Sequence, residues 1–219
     1  MNDQRPAVYI VDDDQSVRNA LARLISAAGY PVETFSSAST FLQSEAARSR
    51  GCLLLDVRMP GLDGLELQQR LTSSGAPMPV IFMTGFGDVP TTVRAMKAGA
   101  VDFLPKPVSD DALLAAVGSA LEAESRMRNE RLEQDRLKRQ FDSLTPRERQ
   151  VFRLVVAGRL NKQIALELGI SEKTVKVHRA RVMEKMRVRR VAQLVAVASR
   201  MGMTEKEPAV REGGLVIEH

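Results

Sequence analysis

Five short apolar runs, Ala7–Val11, Val32–Phe35, Cys52–Leu55, Val80–Met83 and Val101–Leu104, punctuate the first half of this chain. Between them lie stretches whose apolar residues recur mostly three and four apart: Val17, Leu21, Leu24 and Ile25, then Leu65, Leu67 and Leu71, then Val89, Val93 and Met96. Strands that alternate with helices run parallel, because a crossover helix returns the chain to the same end of the sheet. The pattern predicts an α/β domain, doubly wound around a five-stranded parallel sheet with helices on both faces.

A further helix starts near Ser109 and runs into 122–142, a segment rich in Glu and Arg. Met127, Leu132, Leu137 and Phe141 keep no sustained heptad there, so a solvated charged helix joining two domains is expected in preference to a dimerising coiled coil. Beyond Ser143 the punctuation changes. Thr145-Pro146-Arg147-Glu148 combines an N-cap Thr, Pro at the first helical position and a Glu that completes a capping box. Gly158 closes that helix, Asn161 is read as the cap of a second that Gly169 ends, Ser171 caps a third to about Met186, and a fourth spans about Arg190 to Met201. Leu168-Gly169-Ile170-Ser171 has the length of a helix-turn-helix turn. The expected division is an α/β domain over 1–122, a charged helical linker over 123–142, an all-α four-helix domain with a helix-turn-helix over 143–203, and a flexible tail over 204–219.

Charge separates the two ends. Residues 1–121 hold 10 basic and 13 acidic side chains, 122–142 hold 6 of each, and 143–219 hold 16 basic and 8 acidic. A polyanion partner is therefore expected for the last third alone, though charge does not by itself choose between nucleic acid and a membrane surface. One cysteine, Cys52, excludes an internal disulfide framework, and neither a membrane span nor a secretory leader is evident, so a reducing cytoplasm is expected.

The strand ends carry the chemistry. Asp12, Asp13 and Asp14 follow the first strand, Asp56 ends the third, Thr84 closes the fourth and Lys106 follows the fifth. In an open parallel sheet these carboxyl ends share the ligand-binding edge. Clustered carboxylates resist ionisation together unless a cation joins them, and oxygen ligands suit Mg²⁺. A hydroxyl and an ammonium beside them can hold and neutralise phosphoryl oxygens. Asp56 is the best nucleophile candidate, able to carry phosphate as a mixed anhydride.

Four strings, Val8 to Asp14, Leu55 to Gly64, Met83-Thr84-Gly85 and Phe103-Leu104-Pro105-Lys106-Pro107, resemble the receiver domain of bacterial two-component response regulators over residues 6 to about 121. The resemblance implies that Asp56 is the phospho-acceptor, that Asp12, Asp13 and the backbone carbonyl of Arg58 join it around Mg²⁺, and that Asp14 is a neighbour only. It implies a cis Lys106–Pro107 bond. It also implies a switch in which Thr84 turns toward the phosphate and Phe103 moves inward, a Phe in place of Tyr meaning that no hydroxyl changes partners.

On the third helix of the basic region, Val175, His178, Val182 and Met186 fall on one arc, and Lys173, Lys176, Val177, Ala180 and Glu184 on the opposite one, with Arg181 at its edge. His178 reads as a core or boundary residue. In a recognition helix Lys176 and Val177 would meet base edges, while Lys162, Thr174, Arg179, Arg181 and Lys185 would meet phosphates. Residues 143–202 resemble the LuxR-type DNA-binding domain through Leu144 to Val151, Asn161 to Ala165 and Ile170 to His178. Ala180 stands where some relatives are basic. The halves together resemble FixJ-type regulators, including those of aromatic-compound catabolism.

The expectation is a transcription regulator, not an enzyme: a partner histidine kinase phosphorylates Asp56, the receiver releases or pairs through its fourth helix and fifth strand (Val89, Val93, Lys97), and the homodimer binds double-stranded DNA. Activation is favoured, with RNA polymerase as a further partner. The alternatives are a Mg²⁺-dependent phosphatase or phosphotransferase, a regulator that ignores phosphorylation, and a C-terminal module for protein or RNA.

Overall fold

The computed structural model describes residues 5–74, 78–85 and 89–203. The expected tail and the side chain of Val89 lie outside the described residues. The elements are β1 (Ala7–Val11), α1 (Gln15–Ala27), β2 (Val32–Phe35), α2 (Ala38–Gln43), a 3-10 turn (Glu45–Arg48), β3 (Gly51–Asp56), α3 (Gly64–Ser73), β4 (Val80–Thr84), α4 (Val89–Lys97), β5 (Asp102–Pro105), α5 (Asp110–Asp142), α6 (Pro146–Val156), α7 (Asn161–Leu168), α8 (Glu172–Lys185) and α9 (Val191–Arg200).

The sheet is parallel with strand order β2-β1-β3-β4-β5. Successive side chains of a strand point to opposite faces, and two separate cores follow from that period. Tyr9, Val11, Leu53, Leu55 and Phe82 pack with Phe41 of α2, Leu65, Leu67 and Leu71 of α3 and Ala95 of α4. Val8, Ile10, Cys52, Leu54, Ile81 and Met83 pack with Leu21 and Ile25 of α1 and with Leu113, Ala116 and Val117 of α5. Central β3 is buried along its whole length, as its unbroken apolar run requires.

Two departures from the sequence reading concern helices. The short α2, capped by the Ser37 hydroxyl on the Thr40 amide at 3.2 Å, carries no periodic signal in its six residues, yet its Phe41 is fully buried. The charged segment is not a bare spacer either. The chain forms two compact units, 1–129 and 130–219, and α5 contributes to both. In the first, Glu124 is buried and pairs with Arg50 at 3.2 Å. In the second, Leu137 and Phe141 are buried, Phe141 stacking edge-on against Phe152 with centroids 5.2 Å apart. Met127 and Leu132 stay exposed, so the solvated character holds for part of the segment.

The second unit is built on Val151, Phe152 and Val155 of α6, Ile164 of α7, Val175, Val182 and Met186 around α8, and Leu194 and Ala198 of α9. The capping box of α6 is present in both directions: the Glu148 amide donates to Thr145 Oγ1 at 3.3 Å, and the Thr145 amide to Glu148 Oε2 at 2.9 Å. The helix-turn-helix turn rests on Gly169, whose φ of +63° is the left-handed conformation that glycine adopts without strain. Asn161 differs from its reading as a cap. It is the first residue of α7, its carboxamide is taken by Arg179, and Gln163 Oε1 serves the Leu160 amide at 2.9 Å instead.

Candidate phosphoryl-transfer site and nucleic-acid interface

The sheet register aligns the acidic edge. Val11 pairs with Leu55, Asp56 with Met83 and Thr84 with Pro105, so the residues that end or follow these strands form one row. β1 and β3 are neighbours although β2 separates them in sequence, and this reversal of strand order opens the crevice that receives ligands in such sheets. Oxygens of Asp12, Asp13 and Asp56 come within 4.8 Å of one another. Asp12 is fully buried, Asp56 is 9% exposed and Thr84 2% exposed. Lys106 Nζ donates to Asp12 Oδ2 at 2.7 Å and lies 3.4 Å from Asp56 Oδ2.

Burial pushes the Asp56 carboxyl above its ordinary range; Lys106 opposes that rise and Asp12 adds to it. For Lys106, burial works downward, but the hydrogen bond to Asp12 and the charges of Asp56 and Asp12 outweigh it and hold the ammonium more firmly protonated. The cluster sets three carboxylates against one ammonium, which contacts Asp12 and Asp56, and that surplus of negative oxygen is the environment a hard divalent cation needs. Asp14 takes no part in the cluster: hydrogen bonds from Ser16 and Val17 draw its pKa down as it caps α1.

The loop after Asp56 folds tightly back. The Arg58 amide hydrogen-bonds the Asp56 carboxylate while its side chain is exposed. Gly64 donates its amide to the Val57 carbonyl at 3.1 Å, and a Cβ built there would lie 2.4 Å from the Asp56 carbonyl oxygen. Gly64→Ala must displace the loop, with an expected loss of about 2 kcal/mol in stability measured by denaturant unfolding and a slower phosphoryl uptake. Phe103 is half-buried with its ring 6.3 Å from Phe82, and the Lys106–Pro107 bond is cis. Sequence reasoning missed Arg18, whose Nη1 donates to the carbonyls of Asp12 at 2.7 Å and Asp13 at 3.0 Å. Its one signal was a basic residue in the first turn after the acidic loop.

In the second unit α8 divides as its sequence does. Val175, Val182 and Met186 are buried, His178 is half-buried, and Lys173, Lys176, Val177, Ala180, Arg181 and Glu184 are exposed. Ser171 caps α8 through its hydroxyl on the Thr174 amide at 3.1 Å, and Thr174 shares a 2.8 Å hydrogen bond with it. Lys162, at the start of α7, is exposed. Arg179 is half-buried against Asn161 and fastens α8 to α7.

Lys185 departs from the phosphate-contact expectation. Its Nζ donates to the buried Glu148 carboxylate at 2.6 Å and to the Ser143 carbonyl at 3.1 Å, an ion pair made inside the unit. Burial would raise the Glu148 pKa, but Lys185 and Thr145 hold it below the ordinary glutamate value.

Residues 8–118 match the family model of the response regulator receiver domain, and residues 142–198 that of bacterial regulatory proteins of the luxR family. The chain belongs to the response regulators that join a receiver domain to a LuxR-type DNA-binding domain. It is 47% identical over 201 residues to the response regulator protein TmoT of Ectopseudomonas mendocina, covering 92% of this chain and 91% of that one. Against the transcriptional regulatory protein FixJ of Bradyrhizobium diazoefficiens it is 47% identical over 197 residues, 90% of this chain and 96% of the other. The solved structure of response regulator StyR superposes with a TM-score of 0.79 at 51% identity, covering 90% of this chain and all of that one.

A receiver joined to a LuxR-type domain makes this a transcription regulator of a two-component system, with a histidine kinase and DNA as its implied partners. Among the described residues no helix is long and apolar enough to cross a membrane.

Proposed function

We propose that Asp56 is the phospho-acceptor and that its phosphorylation raises the affinity of α8 for DNA. The carboxylate oxygen of Asp56 attacks the phosphorus of a phosphohistidine on the kinase; the P–O bond forms, the P–N bond breaks, and the electron pair leaves with the imidazole nitrogen. Lys106 balances charge on the phosphoryl oxygens, and the Thr84 hydroxyl turns to donate to one of them. Asp12, Asp13, Asp56 and the Arg58 carbonyl would hold Mg²⁺, which when bound supplies positive charge to the transferring group. Phe103 then moves into the space that Thr84 leaves, biasing a two-state equilibrium. Moving such an equilibrium from 1:99 to 99:1 takes about 5.5 kcal/mol, so partial activity without phosphate is expected where the site supplies less.

The DNA-contacting set proposed is Lys176 and Val177 toward base edges, and Lys162, Thr174, Arg179 and Arg181 toward phosphates; Lys185 is left out because Glu148 occupies it. Pairing of receivers through α4 and β5, where Val93 is exposed, would bring two such helices to adjacent half-sites as an activating homodimer that engages RNA polymerase in the cytoplasm.

The observation that carries this reading is the triad Asp12–Lys106–Asp56, joined at 2.7 and 3.4 Å in a chain that also carries an exposed basic helix. Fluorescence anisotropy on duplex DNA, with and without acetyl phosphate, tests it. Affinity is expected to rise with phosphoryl donor and to fall steeply with salt. Lys176→Ala should cost about 1–3 kcal/mol on the preferred sequence and relax preference at one base pair, whereas Lys162→Ala should weaken all sequences alike and flatten the salt dependence. Salt-independent binding, or equal behaviour of the two variants, would reject the assignment.

A further inference from the structure

We infer that Arg18 is a positioning residue for the metal site: by clamping the backbone of the β1–α1 loop it aims Asp13 into the cluster and so sets the affinity for divalent cation. The inference rests on the phosphoryl-transfer reading of the same site. Three acids share that site, and they are restrained very unequally. Asp12 is fully buried, accepts the Asp14 amide at 2.9 Å through Oδ1 and Lys106 Nζ at 2.7 Å through Oδ2. Asp56 is held by Lys106 and by the Arg58 amide. Asp13 is exposed, and among the described residues its carboxylate accepts no hydrogen bond.

The direction of the Asp13 side chain is therefore inherited from its backbone, and that backbone is held from two places. Downstream, Asp14 caps α1 through the Ser16 and Val17 amides at 2.7 and 3.3 Å. From above, Arg18 Nη1 bridges the carbonyls of Asp12 and Asp13 at 2.7 and 3.0 Å. Helical side chains lean toward the helix N-terminus, so an arginine in the first turn of α1 reaches back over the loop without strain. Both hydrogen bonds leave one nitrogen, whose two hydrogens are fixed in the guanidinium plane, whereas a lysine ammonium on a flexible stem holds less geometry per hydrogen bond. Groups that orient metal ligands commonly change metal affinity by about 10- to 100-fold when removed.

Arg18→Ala, Arg18→Lys and Arg23→Ala separate this from other accounts; Arg23 lies on α1, is exposed and among the described residues donates to no loop carbonyl, so its removal subtracts the same charge without the clamp. Mn²⁺ binding to the full chain is read from the free-ion electron paramagnetic resonance signal, and label uptake from acetyl phosphate is followed across a Mg²⁺ series. Arg18→Ala should raise the Mn²⁺ dissociation constant and the half-saturating Mg²⁺ concentration together by about tenfold or more, with the rate at saturating Mg²⁺ close to wild type. Arg18→Lys should fall between, and Arg23→Ala should match wild type. Unchanged Mn²⁺ affinity in Arg18→Ala, or an equal shift in Arg23→Ala, would overturn the inference. Should Arg18→Ala fail to fold, the Arg18→Lys titration decides alone, wild-type affinity there counting against the clamp. Failure of the wild-type chain to take label while binding Mn²⁺ would sink the phosphoryl-transfer reading and leave the Arg18 comparison readable from the Mn²⁺ titration.

Discussion

Asp56→Asn is expected to abolish uptake of phosphate from acetyl phosphate in Mg²⁺ buffer, by at least about a thousandfold, and with it the donor-dependent gain in DNA affinity. The substitution keeps the shape of the side chain and removes the nucleophilic oxygen. It should not unfold the receiver, because the charge it deletes is one that burial and Asp12 already disfavour. Intact mass spectrometry after incubation with acetyl phosphate checks both points: wild type gains one phosphate and the variant none, with similar unfolding midpoints. Phosphate on the variant at the wild-type level would remove Asp56 from its role.

The second large effect lies in the other unit. Lys185→Met keeps most of the aliphatic stem and deletes the ammonium that Glu148 faces at 2.6 Å. Glu148 is 2% exposed, and an uncompensated buried carboxylate is strongly destabilising. The Thr145 amide still serves it, and the ammonium is itself partly exposed, so a loss of about 2 kcal/mol is expected rather than the full penalty.

The pH dependence has a definite sign. The folded Glu148 pKa lies below its unfolded value, so its contribution is complete above that unfolded value of about 4.3 and is lost as pH falls through the lower folded value. Without Lys185, burial is opposed only by the Thr145 hydrogen bonds and the folded pKa rises. Acid unfolding of the DNA-binding unit should therefore begin at higher pH in Lys185→Met, as followed by circular dichroism. An unchanged acid limb together with weakened DNA binding would instead restore Lys185 to the phosphate-contacting set.

Much of this site is legible in the sequence, and the reason is topological. Parallel strands put every carboxyl end on one edge, so residues that end or follow β1, β3, β4 and β5 converge whatever their loops do. The helix-turn-helix was legible because its stops are chemical: Thr145 with Glu148, Gly169 and Ser171 each satisfy backbone groups locally. What escaped notice involves partners far apart in sequence. Lys185 looked like one more surface cation until Glu148 stood opposite it, and Asn161 looked like a cap until Arg179 claimed its carboxamide. The linker looked solvated because Leu137 and Phe141 are sparse among charges, and sparse apolar residues suffice when a neighbouring core has room for them.

The sequence alone determined the alternation of buried strands and helices and the basic face of α8, which follow from periods of two and 3.6 residues, and the identity of the acidic edge, which follows from parallel strands ending on one side. Tertiary structure alone decided which charges remain available. Arg18 is bound to carbonyls and Lys185 to a buried carboxylate, while Lys162 and Lys176 stand exposed and Arg179, held by a neutral carboxamide, keeps its charge. Whether an ammonium or guanidinium meets solvent or a partner depends on distances of about 3 Å between elements remote in the chain, and no periodicity encodes those.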